Sequence, residues 1–453
     1  MPQEKPNVLL IISDQWSTRV ADGSGDYENG IQTPGIDRLA AEGMRFEQSY
    51  SSFPLCGPAR ASLFTGLMPQ KHQIIDNEEI FMDQLGYIPS RDDLPTMGRY
   101  FKAAGYETAY FGKEHAGGYA WEGNDEFGSM KFSAGGMLAE GSAYDPIFTR
   151  DAINFIKREH ERPFYMTLSF INPHDICKVL GGKVKGATFA DAIFFCRTDD
   201  EPYLRFQERP GLPANFDAPV VPGMIRDREY MYEELAAWTE SDWRRYLATY
   251  MLLIEKTDWY IDLVLDALRD AGLDENTLVV FTTDHGDMVG SHGIIAKTAF
   301  YEESVRTQLL MRYPGQIAPD SVDGESLVGS IDLMPTLLDF CKIEIPEGLH
   351  GHSFKARCLG EDTGEFTHLF SENPDGRMLR FEHYKYIHSE IYGEEHEILF
   401  DLETDPDETT NVFGQPGYED ASACARATLD NWLARERLGV SFDALDTVFE
   451  VRR

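Results

Sequence analysis

A chain of 453 residues can bury a large core, and on size it should form one large domain with a smaller one beside it. Hydrophobic residues at 42% and aromatics at 12% fit a globular fold, while a formal net charge of −36 repels nucleic-acid phosphates and anionic membrane surfaces. A polyanion could be met only in a local basic pocket, and six cysteines (Cys56, Cys177, Cys196, Cys341, Cys358, Cys424) without a Cys-x-x-Cys pair argue against a disulfide framework or a structural zinc site.

Residues 8–12 are a continuous apolar run and predict a buried strand rather than the hydrophobic stretch of a secretory signal. No apolar run reaches bilayer length, so the cytoplasm is the default location. A helix is predicted near 34–42, and a second is opened by Pro58, whose missing N–H costs nothing at a first helical position. Another helix near 94–104 stops at Gly105, and 108–111 follows as a strand. Residues 164–171 predict a strand, 241–271 a long helix ended by Gly272, and 278–282 the next strand. This alternation predicts an α/β fold with a large mixed, mostly parallel sheet flanked by helices on both faces. Residues 178–239 interrupt it with Gly and Pro scattered among charges, as a long insertion of the kind that carries specificity. Beyond about residue 360 the short strands 365–371, 378–381, 384–388 and 397–402 precede a helix near 421–435. The expected division is a large α/β domain over 1–360 and a small C-terminal α+β subdomain with an antiparallel sheet over 361–453.

Open α/β sheets bind ligands at the carboxyl ends of their strands. Ser13, Asp14 and Gln15 follow the first strand, and Gly112, Lys113, Glu114 and His115 follow the second. Asn172, Pro173 and His174 follow the third, and Thr283, Asp284, His285, Gly286 and Asp287 the fourth. Each group suits metal binding or acid/base work. Cys56 stands immediately before the helix that Pro58 opens, where unpaired N–H groups and the positive end of the helix dipole favour an anion, and Arg60 lies one turn in.

The spacing Cys56-Gly57-Pro58-Ala59-Arg60 resembles the Cys-x-Pro-x-Arg element of the type I, formylglycine-dependent sulfatases of the alkaline phosphatase-like superfamily. Further blocks resemble that family in order: Pro6 to Asp14 its opening, Thr33 to Ala40 its first helix, and Gly112-Lys113-Glu114-His115 its Gly-Lys-x-His element. Asn172-Pro173-His174, Thr283-Asp284-His285-Gly286, Lys297 ahead of Tyr301-Glu302-Glu303, and Phe400 to Pro406 continue the match through nearly the whole chain. The resemblance implies a sulfuric ester hydrolase, acting on sulfate monoesters of a carbohydrate, whose Cys56 is oxidised by a separate formylglycine-generating enzyme. It implies a divalent cation bound by Asp14, Gln15, Asp284, His285 and an oxygen of the matured residue 56. Arg60 would hold residue 56, and Lys113 and Lys297 would clamp anionic oxygens. His115 would bond the hydrated aldehyde and help break the intermediate down, and His174 would protonate the leaving alcohol. Asp287 and His292 are read as supporting this pocket.

Many sulfatases carry a second aspartate where this chain has Gln15 and an asparagine where it has His285. The lower negative charge leaves calcium favoured, with manganese or magnesium as alternatives. Asp14-Gln15-Trp16 also resembles the phosphonate monoester hydrolase branch, so a phosphonate monoester or phosphodiester hydrolase with the same nucleophile is the second reading. A non-catalytic binder of sulfated glycans is the third. The oligomeric state is not legible.

Overall fold

The computed structural model of the chain describes residues 5–24, 30–77, 94–120, 122–130, 140–180, 183–184, 211–225, 235–361 and 366–438. Most of the predicted insertion at 178–239, and residue 365 of a predicted strand, lie outside the described residues.

The central element is β1 (Asn7–Asp14), all eight residues of which are buried, as expected for a strand covered on both faces. It belongs to an eight-stranded sheet with β2 (Met44–Phe46), β3 (Glu107–Lys113), β4 (Glu126–Met130), β5 (Phe164–Pro173), β6 (Thr277–Thr283), β7 (Leu309–Arg312) and β8 (Ser321–Asp323). The spatial order is β8-β2-β7-β6-β1-β5-β3-β4. β1 pairs in parallel with β5 and β6, β3 in parallel with β5 and β4, and only β7 runs against its neighbours β6 and β2. The alternation along β1 builds two cores. Leu9 and Ile11 face Phe148 and Ile156 of helix α3 (Glu140–Lys157) and Ile261 and Leu265 of α4 (Glu240–Asp270). Val8, Leu10 and Ile12 face Leu63 and Phe64 of α2 (Cys56–Thr65) and Leu337 and Leu338 of α5 (Leu333–Phe340). Each such Leu or Ile contributes about 1.5–3 kcal/mol by leaving water.

Helix α1 (Pro34–Ala41) lies against α4, whose Asp258 accepts from the backbone N–H of Gly35 and Ile36, both at 2.8 Å. Thr239 and Asp242 form a capping box that starts α4. A four-stranded antiparallel sheet follows: β9 (His368–Asn373), β10 (Gly376–Phe381), β11 (Tyr384–Ile391) and β12 (Glu394–Asp401). One of its faces, with Leu379, Tyr386 and Leu399, packs on Leu429 and Trp432 of α6 (Glu419–Leu438). The other, with Met378, Ile387, Ile398 and Phe400, packs on Tyr50 and on Phe300, Tyr301 and Val305. Among the described residues no helix is long and apolar enough to cross a membrane.

Two expectations shift. Helix α2 begins at Cys56 with Leu55 as its cap, so Pro58 is the third helical residue; its N–H would lack an intrahelical partner there too. The strands 107–113 and 164–173 run further than predicted and take Gly112, Lys113, Asn172 and Pro173 into the sheet.

Candidate active site

The carboxyl ends of β1, β3, β5 and β6 meet the first turn of α2. Between β1 and β5 the register slips, since Ile12 pairs with Ser169 but Asp14 with Pro173, and His174, the residue after β5, interacts with the Cys56 sulfur. Gly112 makes the close approach of β3 possible, because a Cβ there would stand 1.8 Å from the Ser169 carbonyl oxygen. Gln15 and His115 leave their strands with φ of 65° and 46°, a left-handed backbone that non-glycine residues seldom adopt.

Arg60, fully buried, ties the parts together. Its Nε donates to Asp284 Oδ2 at 2.8 Å and its Nη2 to Asp14 Oδ2 at 3.2 Å, while Nη1 donates to Ser169 Oγ at 2.7 Å and to the Lys113 carbonyl at 3.1 Å. Lys113 Nζ donates to the same Asp14 Oδ2 at 2.6 Å. The Gln15 and His285 backbone N–H groups donate to Asp284 Oδ1 at 3.1 and 2.9 Å. His285 Nδ1 lies 2.8 Å from the Gly286 carbonyl, which can only accept, so Nδ1 carries a proton and Nε2 faces Cys56 Sγ at 3.3 Å. Lys297 Nζ reaches Cys56 Sγ at 2.9 Å and Gln15 Oε1 at 2.7 Å. His115 and His174 also interact with the Cys56 sulfur.

The electrostatics follow from this crowding. Burial opposes ionisation of the Cys56 thiol, but Lys113, Lys297, His285 and His115 outweigh it and hold the thiol well below its usual range. For Asp14, burial and the Cys56 charge push upward, yet Lys113, His174 and Lys297 leave the carboxyl far below the ordinary value. Asp284, pushed up by burial and then by Asp14, stands at about 6. Burial, followed by Lys113 and Lys297, draws His174 down to about 4. His115 is lowered, first by burial. Lys297 is raised because Cys56, Cys177 and Asp14 outweigh its burial.

The ligand atoms of Asp14, Cys56, Asp284 and His285 all lie within 4.8 Å of one another and are buried. Two carboxylates with one imidazole whose other nitrogen is fixed by a carbonyl suit a divalent cation. Gln15 adds a neutral amide oxygen at the Lys297 ammonium, its Nε2 tethered to Asp287 Oδ2 at 2.6 Å.

Asp14, Gln15, Cys56, Arg60, Lys113, His115, His174, Asp284, His285 and Lys297 therefore gather here, whereas the Glu114 carboxylate is used by the Gly118 N–H at 2.7 Å and the Thr283 hydroxyl by the Gln308 N–H at 3.1 Å. Asp287 supports Gln15 as expected, whereas His292 stacks on Tyr301 at a centroid distance of 4.0 Å. Sequence reasoning missed Ser169, which holds Arg60, and Cys177, whose Sγ lies 3.3 Å from Gln15 Oε1. It also missed a mutual clasp at His174. Asp175 accepts from the N–H groups of Gly141 and Ser142 at the start of α3, while Asp145 of α3 accepts from those of Ile171 and Asn172 on β5. The run Asn-Pro-His-Asp carries a trace of it, since an Asp after a strand end is a ready helix cap.

Residues 6–343 match the family model described as Sulfatase, and residues 290–435 match that described as N-sulphoglucosamine sulphohydrolase, C-terminal. The chain is similar to the Delta 4,5-hexuronate-2-O-sulfatase of Bacteroides thetaiotaomicron, with 30% identity over 455 residues covering 96% of this chain and 90% of that protein. A solved 2-O GAG sulfatase superposes with a TM-score of 0.79 and 28% identity, covering 97% of this chain and 94% of the other. The phosphonate monoester hydrolase of Agrobacterium radiobacter shares the fold, with a TM-score of 0.73 at 20% identity and coverage of 95% and 96%.

Proposed function

This chain belongs to the sulfatase family and is a sulfuric ester hydrolase, and from that premise we propose that it removes sulfate from a carbohydrate by means of a formylglycine made from Cys56. The reading includes one divalent cation, calcium, held by Asp14, Gln15, residue 56, Asp284 and His285. The observation that carries it is the single buried cluster in which the Cys56 sulfur lies within 3.7 Å of Asp14, 3.3 Å of His285 and 2.9 Å of Lys297. The carbohydrate is supported by the names of the similar proteins, a hexuronate sulfatase and a 2-O GAG sulfatase.

When bound, the cation supplies charge to an ester oxygen and acidifies the nucleophile. The hydrated aldehyde of formylglycine supplies one hydroxyl for attack on sulfur and a second whose deprotonation releases sulfate by C–O cleavage, so that water need not attack sulfur again. The chain's own groups do the rest. Arg60 and Lys113 occupy Asp14 Oδ2 and leave Oδ1 turned toward residue 56. Lys297 meets an anionic oxygen at residue 56, in a water-poor site where fixed charge acts strongly. His115 takes the proton of the second hydroxyl, and His174, drawn down to about 4 by burial, Lys113 and Lys297, gives one to the leaving alcohol once the bound anionic ester offsets those two ammonium groups and restores its proton. Arg60, Lys113 and Lys297 match Asp14, Asp284 and Asp287 in number, so with residue 56 a neutral hydrate the charge of the bound cation would leave the pocket positive and suited to an anionic ester in an otherwise acidic protein. Residues 178–239 are proposed to select the sugar.

The test couples the intact mass of the peptide across position 56 to turnover of a panel of sulfated sugars by the same sample. Activity should track the formylglycine fraction, and Cys56→Ala and Cys56→Ser should abolish it; full activity in Cys56→Ala would refute the nucleophile and leave no mechanism of this kind. Parallel kinetics on an aryl sulfate, an aryl phosphodiester and a phosphonate monoester should favour the sulfate. A thousandfold preference for either phosphorus ester overturns the sulfate reading.

A further inference from the structure

We infer that the C-terminal four-stranded sheet is part of the catalytic apparatus, with Asn373 and Lys385 as positioning residues that hold Lys297 at residue 56. The inference rests on the role given above to Lys297. That lysine lies between Ala296 and Thr298, whose φ values of 70° and 82° are both in the left-handed region, and for a β-branched threonine this is backbone it avoids unless its surroundings impose it.

The imposing groups come from far along the chain. Thr298 N–H donates to the Pro54 carbonyl at 3.0 Å, just ahead of Cys56, and the Thr298 carbonyl accepts from Asn373 Nδ2 at 2.8 Å. The Asn373 amide cannot turn over, because its Oδ1 already accepts from the backbone N–H of Asp375 and Gly376 at 2.9 and 2.7 Å. Two residues past Thr298, the Phe300 carbonyl accepts from Lys385 Nζ at 2.8 Å. That ammonium is fully buried and lies 2.7 Å from both Glu302 Oε1 and Glu408 Oε1, while Glu408 Oε2 accepts from the Glu302 N–H at 2.7 Å. Around these polar ties the contact is apolar, with Ala299, Phe300 and Tyr301 against Met378, Ile387, Ile398 and Phe400.

Packing of that face alone would hold the two units together, and a buried ion pair is seldom the most stabilising way to do so. What the ions and the amide add is direction. Two carbonyls, one and three residues beyond Lys297, are fixed in place, which sets where the lysine stem leaves the backbone. Without those ties Thr298 can relax out of its left-handed conformation, and the ammonium is carried away from the sulfur position.

The discriminating variant is Asn373→Asp, which keeps both acceptor bonds of the turn but removes the donor to Thr298. Turnover of a sensitive aryl sulfate by the matured enzyme is measured for wild type, Asn373→Asp, Lys297→Ala and the double variant. Lys297→Ala should lower kcat/KM about a hundredfold. Asn373→Asp should lower it about tenfold, yet less than twofold in the Lys297→Ala background, because its effect passes through the missing lysine. Lys385→Met should show the same non-additivity if it folds; if it does not, Asn373→Asp decides alone. Equal factors in both backgrounds, or an Asn373→Asp enzyme with wild-type turnover, would overturn the inference. A Lys297→Ala enzyme with wild-type kcat/KM would instead remove the role of Lys297 and the inference with it.

Discussion

Replacing Arg60 with methionine removes a fully buried cation that donates to two carboxylates, one hydroxyl and one carbonyl. Breaking a buried, hydrogen-bonded ion pair by taking one partner away costs about 3–5 kcal/mol. The residual partners place this case at the low end. Asp14 keeps Lys113 at 2.6 Å, and Asp284 keeps two backbone N–H groups at 3.1 and 2.9 Å. The expected loss in the metal-free protein is therefore about 3 kcal/mol, or on the order of a hundredfold in the unfolding equilibrium. A divalent cation would take over part of the compensation. Arg60→Met should then bind calcium more tightly than wild type and recover part of its stability, while its turnover stays lost because the two carboxylates are no longer held in register. Urea unfolding followed by tryptophan fluorescence and circular dichroism, with chelator and with calcium, measures both effects. A metal-free loss below about 1 kcal/mol, the scale of an ordinary hydrogen bond, would refute the view of Arg60 as counterion to Asp14 and Asp284.

His174→Ala should lower kcat/KM about a hundredfold for a sugar sulfate but less than tenfold for 4-nitrophenyl sulfate, since an aryl oxide leaves without a proton; equal losses would exclude His174 as general acid. Chelation should lower both activity and the thermal midpoint, and calcium at about a hundred times its Kd should return about 2.7 kcal/mol; a midpoint indifferent to every divalent cation would remove the cation from the site. Burial, with Asp37 and Asp262 adding to it, lifts Asp258 to about 7 despite its bonds to Gly35 and Ile36. A carboxyl raised on folding stabilises fully below its unfolded value near 4 and loses that contribution as pH rises through the folded value, by up to about 1.4 kcal/mol per pH unit. Wild-type stability should accordingly fall between pH 5 and 7, more steeply than that of Asp258→Asn, and identical slopes in urea midpoint against pH would contradict the assignment.

Periodicity and local chemistry made much of this molecule legible. The apolar runs at 8–12, 164–171 and 278–282 are strands buried on both faces, and the long helix ends within one residue of where Gly272 led one to expect. The short strands Met44–Phe46 and Ser321–Asp323, and the antiparallel β7, were not legible, because three or four residues carry no period that separates a strand from a loop. Helix α3 was hidden by Pro146 within it and by its modest amphipathic pattern.

By itself the sequence determined which side chains would stand at strand ends and at a helix start, since those positions follow from local pattern along the backbone. Only the tertiary structure decided which atoms they touch: that Lys113 rests on Asp14, that Ser169 braces Arg60, and that Asn373 and Lys385 grip the segment after Lys297. These partners lie far apart along the chain and are brought together by strand order, by the slipped register between β1 and β5, and by the packing of two sheets. Such pairings depend on the packing of the whole fold, and no local stretch of residues encodes them.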